Sequence, residues 1–372
     1  MHWHCSSYPT GKGALAQQPG DPPTLSFAGI SMGSSFERYS PLKRVRQEVA
    51  YGRSLGRLLE QVRPDVALIC NTPLLAHGIA ATYCNRRSIP MVFWHQDIYS
   101  AAIAEAASKR LGPLGRPIGK LADRLERYIA RSSRAIIPIS TQFRAVLSRW
   151  GVSERSTVIP NWAPLEEIPV KSRENDWARR HDLVGRPTVL YSGTLGLKHD
   201  PAILLELARA MGLALPSGRV VVVSEGRGRD WLAEQQSAAS VENLVLMDYQ
   251  PYIDFPKVLA SGDVLIAILE PAAGHYSVPS KLLSYLCSGR PIVAVIPTEN
   301  AAASTLRASG AGTIVDASNR SQAVTEVLDL LCDDVLRQKM GIAGRAYADA
   351  TFDISAIGAK FERILLKSAR SR

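Results

Sequence analysis

The chain has 372 residues, of which 46% are hydrophobic and 21% are charged, so it is long enough for two globular domains with complete cores. Its five cysteines show neither Cys-x-x-Cys spacing nor histidines at ligand distance, which argues against a metal site and favours reduced thiols in a cytosolic protein. No apolar run approaches the roughly 20 residues that cross a bilayer, and we expect no signal peptide.

The first forty residues are rich in Gly, Pro and Ser. They show no clear strand followed by a Gly-rich turn and a helix, which is how a complete Rossmann-like domain begins. The sequence therefore predicts either an abbreviated N-terminal domain or one whose opening strand lies upstream of Met1.

Short β-branched runs alternate with helical patterns through the rest of the chain. This alternation predicts an α/β protein with parallel sheets and helices on both faces. Ten predicted strands are too many for one open sheet, so we expect two Rossmann-like, doubly wound domains with a ligand cleft between them. We place one domain at 1–163, the other at 164–350 and a closing helix at 351–372. The predicted strands are 66–70, 90–94, 135–140, 157–160, 188–193, 220–224, 244–247, 264–269, 292–296 and 312–315.

The net charge of +10 is concentrated in the first half of the chain. Residues 1–170 hold 21 Lys and Arg against 12 Asp and Glu, and the densest basic segment is 109–134. Apolar residues recur there at helical spacing, which predicts a basic amphipathic helix. It is either a solvated helix face or a surface that binds anionic lipid. Nucleic acid is disfavoured, because no helix-turn-helix or aromatic pattern accompanies the charge.

Two loops carry the pattern of an anion site. One feeds a helix that begins near Ser280 and Lys281, and a helix start attracts anions because its N–H groups and dipole point outward. The other is the segment 191–198, which ends in Lys198. Together they predict a diphosphate held between loops.

Further polar residues follow predicted strands, at the edge where ligands bind in open α/β sheets. His95 and Asp97 follow the strand 90–94, and Glu270 follows the strand 264–269. Gly226 and Gly228 follow the strand 220–224; they could line a nucleotide, although a plain strand-to-helix turn is the favoured interpretation.

Four segments in this order resemble glycosyltransferase family 4, of the GT-B fold. They are 92–99, the hinge 158–164, 188–201 and 277–294. The Pro-Ser-Lys-Leu helix start is most similar to the bacterial surface-polysaccharide, colanic-acid type. The resemblance covers roughly residues 60–365.

The resemblance implies a retaining transfer of a sugar from a nucleotide diphosphate donor to a lipid-linked or glycan acceptor, at the cytoplasmic face of the plasma membrane. It implies no bound metal and no cofactor besides the donor. No Asp-x-Asp pair occurs in the chain, so positive charge for the leaving diphosphate must come from side chains and helix ends.

The resemblance also assigns the acceptor side to 1–163, the nucleotide sugar to 164–350, and individual residues to the site. The catalytic candidates it gives are Lys198, His95 and Asp97. Glu270, six residues before Tyr276 in a strand-end loop, is a further catalytic candidate that could approach the sugar in place of the family's carboxylates. The donor-binding candidates are Gly193, Thr194, Gly196, Lys198, Gly226, Tyr249, Gln250, Ser280, Lys281, Leu282 and Ser284. One departure stands out: Tyr276 and Ser284 occupy the positions where many members carry two glutamates.

Two other functions remain open on the sequence alone. A sugar-nucleotide 2-epimerase has the same architecture but needs carboxylates and histidines clustered in the cleft, and the chain has only seven histidines. A non-catalytic nucleotide-sugar-binding paralogue is favoured by the two missing glutamates and by the indistinct opening.

Overall fold

The structure is a computed structural model that describes residues 2–5, 17, 19–31, 40–70, 72–196, 199–239, 241–271 and 280–370. The predicted site residue Lys198 and the departure at Tyr276 lie outside the described residues.

The chain forms two compact units. Unit 1 comprises Met1–Ile159 with Lys360–Arg372, and unit 2 comprises Pro160–Ala359. The division after Ile159 precedes the predicted boundary at 163, and the end of the chain belongs to unit 1. The predicted closing helix corresponds to the last helix, Ile354–Arg370.

The described residues of unit 1 include five short parallel strands. Strands β1 (His2–Cys5) and β2 (Phe27–Ile30) pair with each other. Strands β3 (Ala67–Cys70), β4 (Met91–His95) and β5 (Ala135–Pro138) form a sheet in that order. The helices of unit 1 are α1 (Pro41–Val62), α2 (Leu74–Arg86), α3 (Tyr99–Leu111), α4 (Arg116–Ser132) and α5 (Arg144–Trp150).

Helices α1 and α2 lie against each other through glycines of α1. A Cβ at Gly52 would lie 2.8 Å from the Ala76 Cα, and one at Gly56 would lie 2.3 Å from the Tyr83 ring. The absence of these two Cβ atoms therefore allows the close approach of the two helices.

Unit 2 is built on one six-stranded parallel sheet. Its strands are β6 (Thr188–Ser192), β7 (Arg219–Val223), β8 (Leu244–Met247), β9 (Val264–Ile268), β10 (Ile292–Val295) and β11 (Gly312–Val315). Its helices are α6 (Asp176–Arg180), α7 (Ala202–Ala214), α8 (Arg227–Ala239), α9 (Phe255–Ala260), α10 (Lys281–Cys287), α11 (Ala301–Ser309), α12 (Arg320–Cys332) and α13 (Asp334–Thr351), followed by α14 (Ile354–Arg370). Two apolar clusters cover the two faces of the sheet, which is why its strands are continuous apolar runs.

Two strand predictions need correction. The first forty residues contain β1 and β2, which the sequence analysis did not identify. The segment 157–160 forms no strand: Thr157 and Ile159 donate hydrogen bonds to the carbonyls of Ile136 and Pro138 along β5. Pro138 has no N–H to donate in return, so the ladder cannot continue there.

Candidate functional site

The order of the strands in unit 2 locates its binding edge. The sheet runs β8-β7-β6-β9-β10-β11, so the direction of winding reverses between β6 and β9. In open α/β sheets, ligands bind beyond the carboxyl ends of the strands at this reversal. Strands β6 and β9 pair over only two residue positions, at Val189 and Leu190, and they separate toward their carboxyl ends.

The hydroxyl of Tyr285, on α10, lies at the point where β6 and β9 separate. The Ser192 N–H donates to the Tyr285 hydroxyl over 2.9 Å, and the hydroxyl donates back to the Ser192 carbonyl over 3.1 Å. Both residues are buried. A side chain therefore satisfies the backbone groups that a longer β9 would otherwise pair, and this contact fixes α10 against the end of β6.

Lys281, the first residue of α10, lies over the end of β6. Its ammonium lies 3.8 Å from the centroid of the Tyr191 ring and donates a hydrogen bond to the Tyr191 hydroxyl. No carboxylate among the described residues pairs with it. Burial lowers the pKa of Lys281 to about 7. A partly buried cation with no anionic partner in the described part of the chain is suited to receive a negatively charged ligand.

Gly193 makes room for this cation. Its φ of +135° lies in a region that side chains disfavour, and a Cβ there would lie 3.3 Å from both Nζ and Cε of Lys281. Glycine at this position therefore serves both the backbone turn and the space around the ammonium.

A chain of hydroxyl contacts continues from Lys281 along the loop after β6. The Tyr191 hydroxyl donates to the Thr194 carbonyl over 3.0 Å, and the Thr194 and Tyr249 hydroxyls lie 2.6 Å apart. Burial raises the pKa of both tyrosines, so both remain neutral donors at physiological pH. The structure thus brings together four of the predicted donor-binding residues, Gly193, Thr194, Tyr249 and Lys281.

Gly226 and Gly196 support the same edge through the backbone. Gly226 has a φ of +101°, and a Cβ there would lie 3.0 Å from the Leu195 carbonyl oxygen. The Leu195 N–H in turn donates to the Glu225 carbonyl over 3.0 Å, so the loops after β6 and β7 are joined. The Gly196 N–H donates to His199 Nδ1 over 3.2 Å. Gly226 therefore occupies a strand-to-helix turn, the plainer of its two interpretations.

The remaining donor candidates are more scattered. The Gln250 amide oxygen accepts a hydrogen bond from the indole of buried Trp177 over 3.2 Å. Ser280 is exposed and makes no side-chain cap, Leu282 is buried in the core, and Ser284 is partly buried on α10. Helix α10 has only seven residues, so its dipole contributes little to anion binding. The evidence for an anion site therefore rests on the Lys281 side chain more than on the start of the helix.

Glu270 lies just beyond β9, on the same carboxyl edge. It lines a pocket of about 250 Å³ together with Asp200 and Arg320. Arg320 forms ion pairs with Asp200 and Glu206, the latter at 3.1 Å. The pocket lining therefore holds two carboxylates: Asp200, which pairs with Arg320, and Glu270, which forms no ion pair with any described residue.

The structure buries His95 completely, inside unit 1. Its ring packs against Phe93, Phe143 and Trp150 at centroid distances of 4.6, 4.9 and 5.8 Å. Its Nε2 lies 3.4 Å from a carboxylate oxygen of buried Glu126. The side chain is therefore not presented to solvent as the predicted contact with substrate requires, whereas Asp97, in the loop after β4, is partly exposed.

Glu126 holds the start of α3. Its two carboxylate oxygens accept the N–H groups of Tyr99 and Ser100 over 3.0 and 2.8 Å. The sequence alone does not indicate this role, because Glu126 lies within the basic segment 109–134 and its partners lie more than twenty residues away. The residues that sequence reasoning missed, Glu126, Tyr191 and Tyr285, have in common that their partners are distant in the sequence.

Comparison with protein-family models gives a match over residues 18–167, to the model described as Glycosyltransferase Family 4. Residues 18–167 are similar to glycosyltransferase family 4. This match lies mostly in unit 1, so the similarity is independent of the candidate site in unit 2. The narrower surface-polysaccharide subclass stays a prediction.

One protein similar to part of this chain is a GDP-mannose-dependent monoacylated alpha-(1-6)-phosphatidylinositol monomannoside mannosyltransferase from Corynebacterium glutamicum. It is 25% identical over 157 residues, which are 42% of this chain. The match spans 41% of the relative's own length.

Solved structures confirm the predicted fold. Anabaena HepE in complex with UDP-glucose has a TM-score of 0.68 at 14% identity and covers 92% of this chain and 86% of its own. WaaG, a glycosyltransferase involved in lipopolysaccharide biosynthesis, has a TM-score of 0.68 at 16% identity, with 93% and 88% covered. Sucrose-phosphate synthase from Thermosynechococcus elongatus has a TM-score of 0.72 at 14% identity, with 96% and 88% covered. The fold is α/β with parallel sheets, and its structural neighbours are GT-B glycosyltransferases.

The described residues show neither a metal cluster nor a membrane-spanning helix. Within the ranges that the structure describes, no three His, Cys, Asp or Glu side chains are grouped so as to hold a metal ion. Over those same ranges, no helix is both long enough and apolar enough to span a bilayer.

Proposed function

We propose that the chain is a retaining glycosyltransferase that moves a sugar from a nucleotide diphosphate donor to a lipid-linked or glycan acceptor in polysaccharide biosynthesis. The observation that carries the proposal is Lys281, a cation with no carboxylate partner among the described residues, at the winding reversal of a Rossmann-like sheet. HepE, a structural neighbour, has been solved with UDP-glucose, a donor of this class.

The donor diphosphate would lie against the loop after β6. Lys281 contributes the positive charge that stabilises the leaving nucleoside diphosphate, and Gly193 leaves the ammonium accessible. We place the predicted Lys198 on the same diphosphate. Charge supplied by lysines takes the role that a divalent ion has in metal-dependent transferases, so we propose a metal-independent reaction.

The transferred sugar would lie toward the end of β9. Glu270 is the carboxylate there whose oxygens can accept hydrogen bonds from sugar hydroxyls. Asp97 is the polar group of unit 1 that we assign to the acceptor side, while buried His95 and Glu126 fix the loop that carries it. In a retaining transfer the acceptor attacks from the face that the diphosphate leaves.

The turn between α3 and α4 supports a membrane-bound acceptor. Four large apolar side chains are exposed there, at 43–79% of their surface: Leu111, Leu114, Ile118 and Leu121. Basic residues of the predicted segment 109–134 surround them, including Lys109, Arg116 and Lys120. Exposed apolar groups among cations are typical of a surface that inserts shallowly into anionic lipid. We propose that this turn lies on the inner face of the plasma membrane.

The name of the corynebacterial relative agrees with a lipid-linked acceptor. That protein is a GDP-mannose-dependent mannosyltransferase named for a monoacylated phosphatidylinositol monomannoside. WaaG likewise is described as acting in lipopolysaccharide biosynthesis.

The proposal is tested by incubating the protein with a panel of sugar nucleotides and polyprenyl diphosphate acceptors. We expect transfer with retention of the anomeric configuration, measured by NMR of the product. Lys281→Met should lower kcat/KM by at least roughly tenfold, which corresponds to about 1.4 kcal/mol of lost transition-state stabilisation. Arg209→Ala, which removes one exposed cation from α7, is the matched control. Donor binding without transfer to any acceptor would favour the non-catalytic alternative.

A further inference from the structure

A second basic pocket lies in unit 1, at the amino ends of strands β3, β4 and β5. Its volume is about 920 Å³, and five arginines line it: Arg63, Arg86, Arg87, Arg134 and Arg155. His95 and Asp97 follow the carboxyl end of β4, the opposite edge of this sheet. The candidate donor residues belong to unit 2, so this pocket is not part of that site.

Positive charge in the pocket is largely uncompensated. No acidic side chain lines it. Arg87 pairs with Glu60 at 2.8 Å, and Arg155 donates to the Ser133 carbonyl over 3.0 Å. Elsewhere in the ranges described, no carboxylate pairs with Arg63, Arg86 or Arg134. Three guanidinium groups are therefore available to one ligand.

The backbone of the pocket has an unusual conformation. Arg63 and Ser88 have φ values of +46° and +52°, and Asp182 is the one other non-glycine residue with positive φ in the described part of the chain. Arg63 follows the last residue of α1, where glycine is the favoured residue type for such a φ. An arginine occupies this position instead and contributes its side chain to the pocket.

We propose that this pocket is a separate anion-binding site that takes a phosphate-bearing ligand through Arg63, Arg86 and Arg134. The planar guanidinium group matches the geometry of phosphate oxygens, and several arginines around one concavity bind such a group more tightly than dispersed surface cations. The ligand carries its phosphate either as a free phosphorylated molecule or as the headgroup of an anionic lipid.

A purely structural role for these arginines makes a different prediction. Helices α1, α2 and α4 all end at this edge, and cations near helix C-termini stabilise the helix dipole. In that case their removal would lower thermal stability and leave phosphate binding unchanged.

The test uses the full chain with Lys281→Met, so that the candidate donor site does not contribute. Inorganic pyrophosphate is titrated by calorimetry into this protein and into the same protein carrying Arg63→Gly and Arg134→Ala. Glycine suits the backbone at residue 63, so we expect the fold to survive. We expect the Kd for pyrophosphate to rise at least roughly tenfold. Arg209→Ala, which removes a single exposed positive charge from unit 2, should leave the Kd unchanged.

A second measurement distinguishes the two sources of phosphate. Flotation with phosphatidylcholine vesicles that contain a minor fraction of phosphatidylglycerol is compared for the same proteins. Loss of pyrophosphate binding in the pocket variant identifies a free phosphorylated ligand, and loss of vesicle binding alone identifies a lipid headgroup. If neither measurement separates the pocket variant from the Arg209→Ala control, the site does not exist. Sugar transfer by the unmodified chain is measured separately, so failure of this proposal is distinct from failure of the proposed function.

Discussion

Lys281 is unfavourable for folding, because its ammonium is buried without a carboxylate partner among the described residues, yet it is well placed to bind an anion. Its ammonium lies against Tyr191 with no carboxylate nearby in the described ranges, so burial lowers its pKa to about 7. At neutral pH the free protein therefore holds a mixture of charged and neutral Lys281. A bound diphosphate favours the charged form, and binding then includes uptake of a proton.

The proton uptake predicts a pH dependence of donor binding. The free pKa is about 7 and the bound pKa is higher, so affinity is greatest below the free pKa and falls as pH rises above it. Between about pH 7.5 and about pH 9 we expect the Kd for a nucleoside diphosphate to rise by up to about tenfold per pH unit. Calorimetry at several pH values measures this slope.

Lys281→Arg is the control, because a guanidinium group stays protonated throughout that range. Its Kd should vary much less with pH than that of the unmodified protein. An equal slope in both proteins would contradict the assignment of the titrating group to Lys281.

Sequence reasoning could find Lys281 but not its surroundings. A lysine in the first turn of a helix after a loop predicts an anion site, and this local pattern is sufficient to place Lys281 among the candidate residues. Tyr191 lies in a strand of apolar residues and Tyr285 in an apolar helix, so both resemble ordinary core residues until the fold brings them to the end of β6. His95 was misjudged for the same reason: the aromatic rings that enclose it come from β4 and from residues 143 and 150.

At the scale of elements, the hydroxyl of one phenol joins α10 to the backbone of β6. Tyr285 accepts from the Ser192 N–H and donates to the Ser192 carbonyl. Tyr285→Phe would leave two buried backbone groups without a partner. We expect it to lower the free energy of unfolding by about 1–3 kcal/mol and to weaken donor binding, because Lys281 begins the same helix.

Tyr347→Phe on α13 is the matched control, since the structure shows no hydrogen bond from that hydroxyl to any described residue. Chemical denaturation measures both variants. Equal stability of the two would mean that the hydroxyl of Tyr285 does not tie α10 to β6.

The elements themselves were mostly predictable. Nine of the ten predicted strands correspond to β3 to β11, because a strand covered on both faces must be a short apolar run between turns. Strands β1 and β2 were missed: each has four residues, and β2 includes Gly29, which weakens a strand pattern. The order of the six strands in unit 2 depends on which edges pair, and the sequence does not encode that locally.

At the scale of the whole molecule, positive charge and exposed apolar surface coincide in the first half of the chain. Residues 1–170 carry most of the excess of Lys and Arg, and the α3–α4 turn exposes Leu114 and Leu121 at 79% and 67%. A solvated helix face would carry charge alone, whereas a lipid-binding face combines cations with apolar side chains.

Replacing both leucines with glutamate tests this surface. Leu114→Glu with Leu121→Glu should reduce binding to phosphatidylglycerol-containing vesicles at least roughly tenfold, because apolar insertion and charge attraction are both lost. Leu213→Glu, at a residue 89% exposed on α7, is the control for one added acid on an exposed leucine. Sedimentation with vesicles measures both, and unchanged binding of the double variant would rule out this turn as the membrane contact.

Because β6 and β9 separate near Ser192, hydrogen–deuterium exchange can report on the candidate site even when no ligand is bound. The amide of Ser192 is protected from solvent by one side chain rather than by a neighbouring strand. Its hydrogen–deuterium exchange therefore reports the detachment of α10, whereas the amide of Gly193, bonded to the Val223 carbonyl, reports opening between β6 and β7. The two neighbouring amides therefore report separately on the α10 side and the β7 side of the end of β6. A bound donor should slow the exchange of the Ser192 amide more than that of the Gly193 amide.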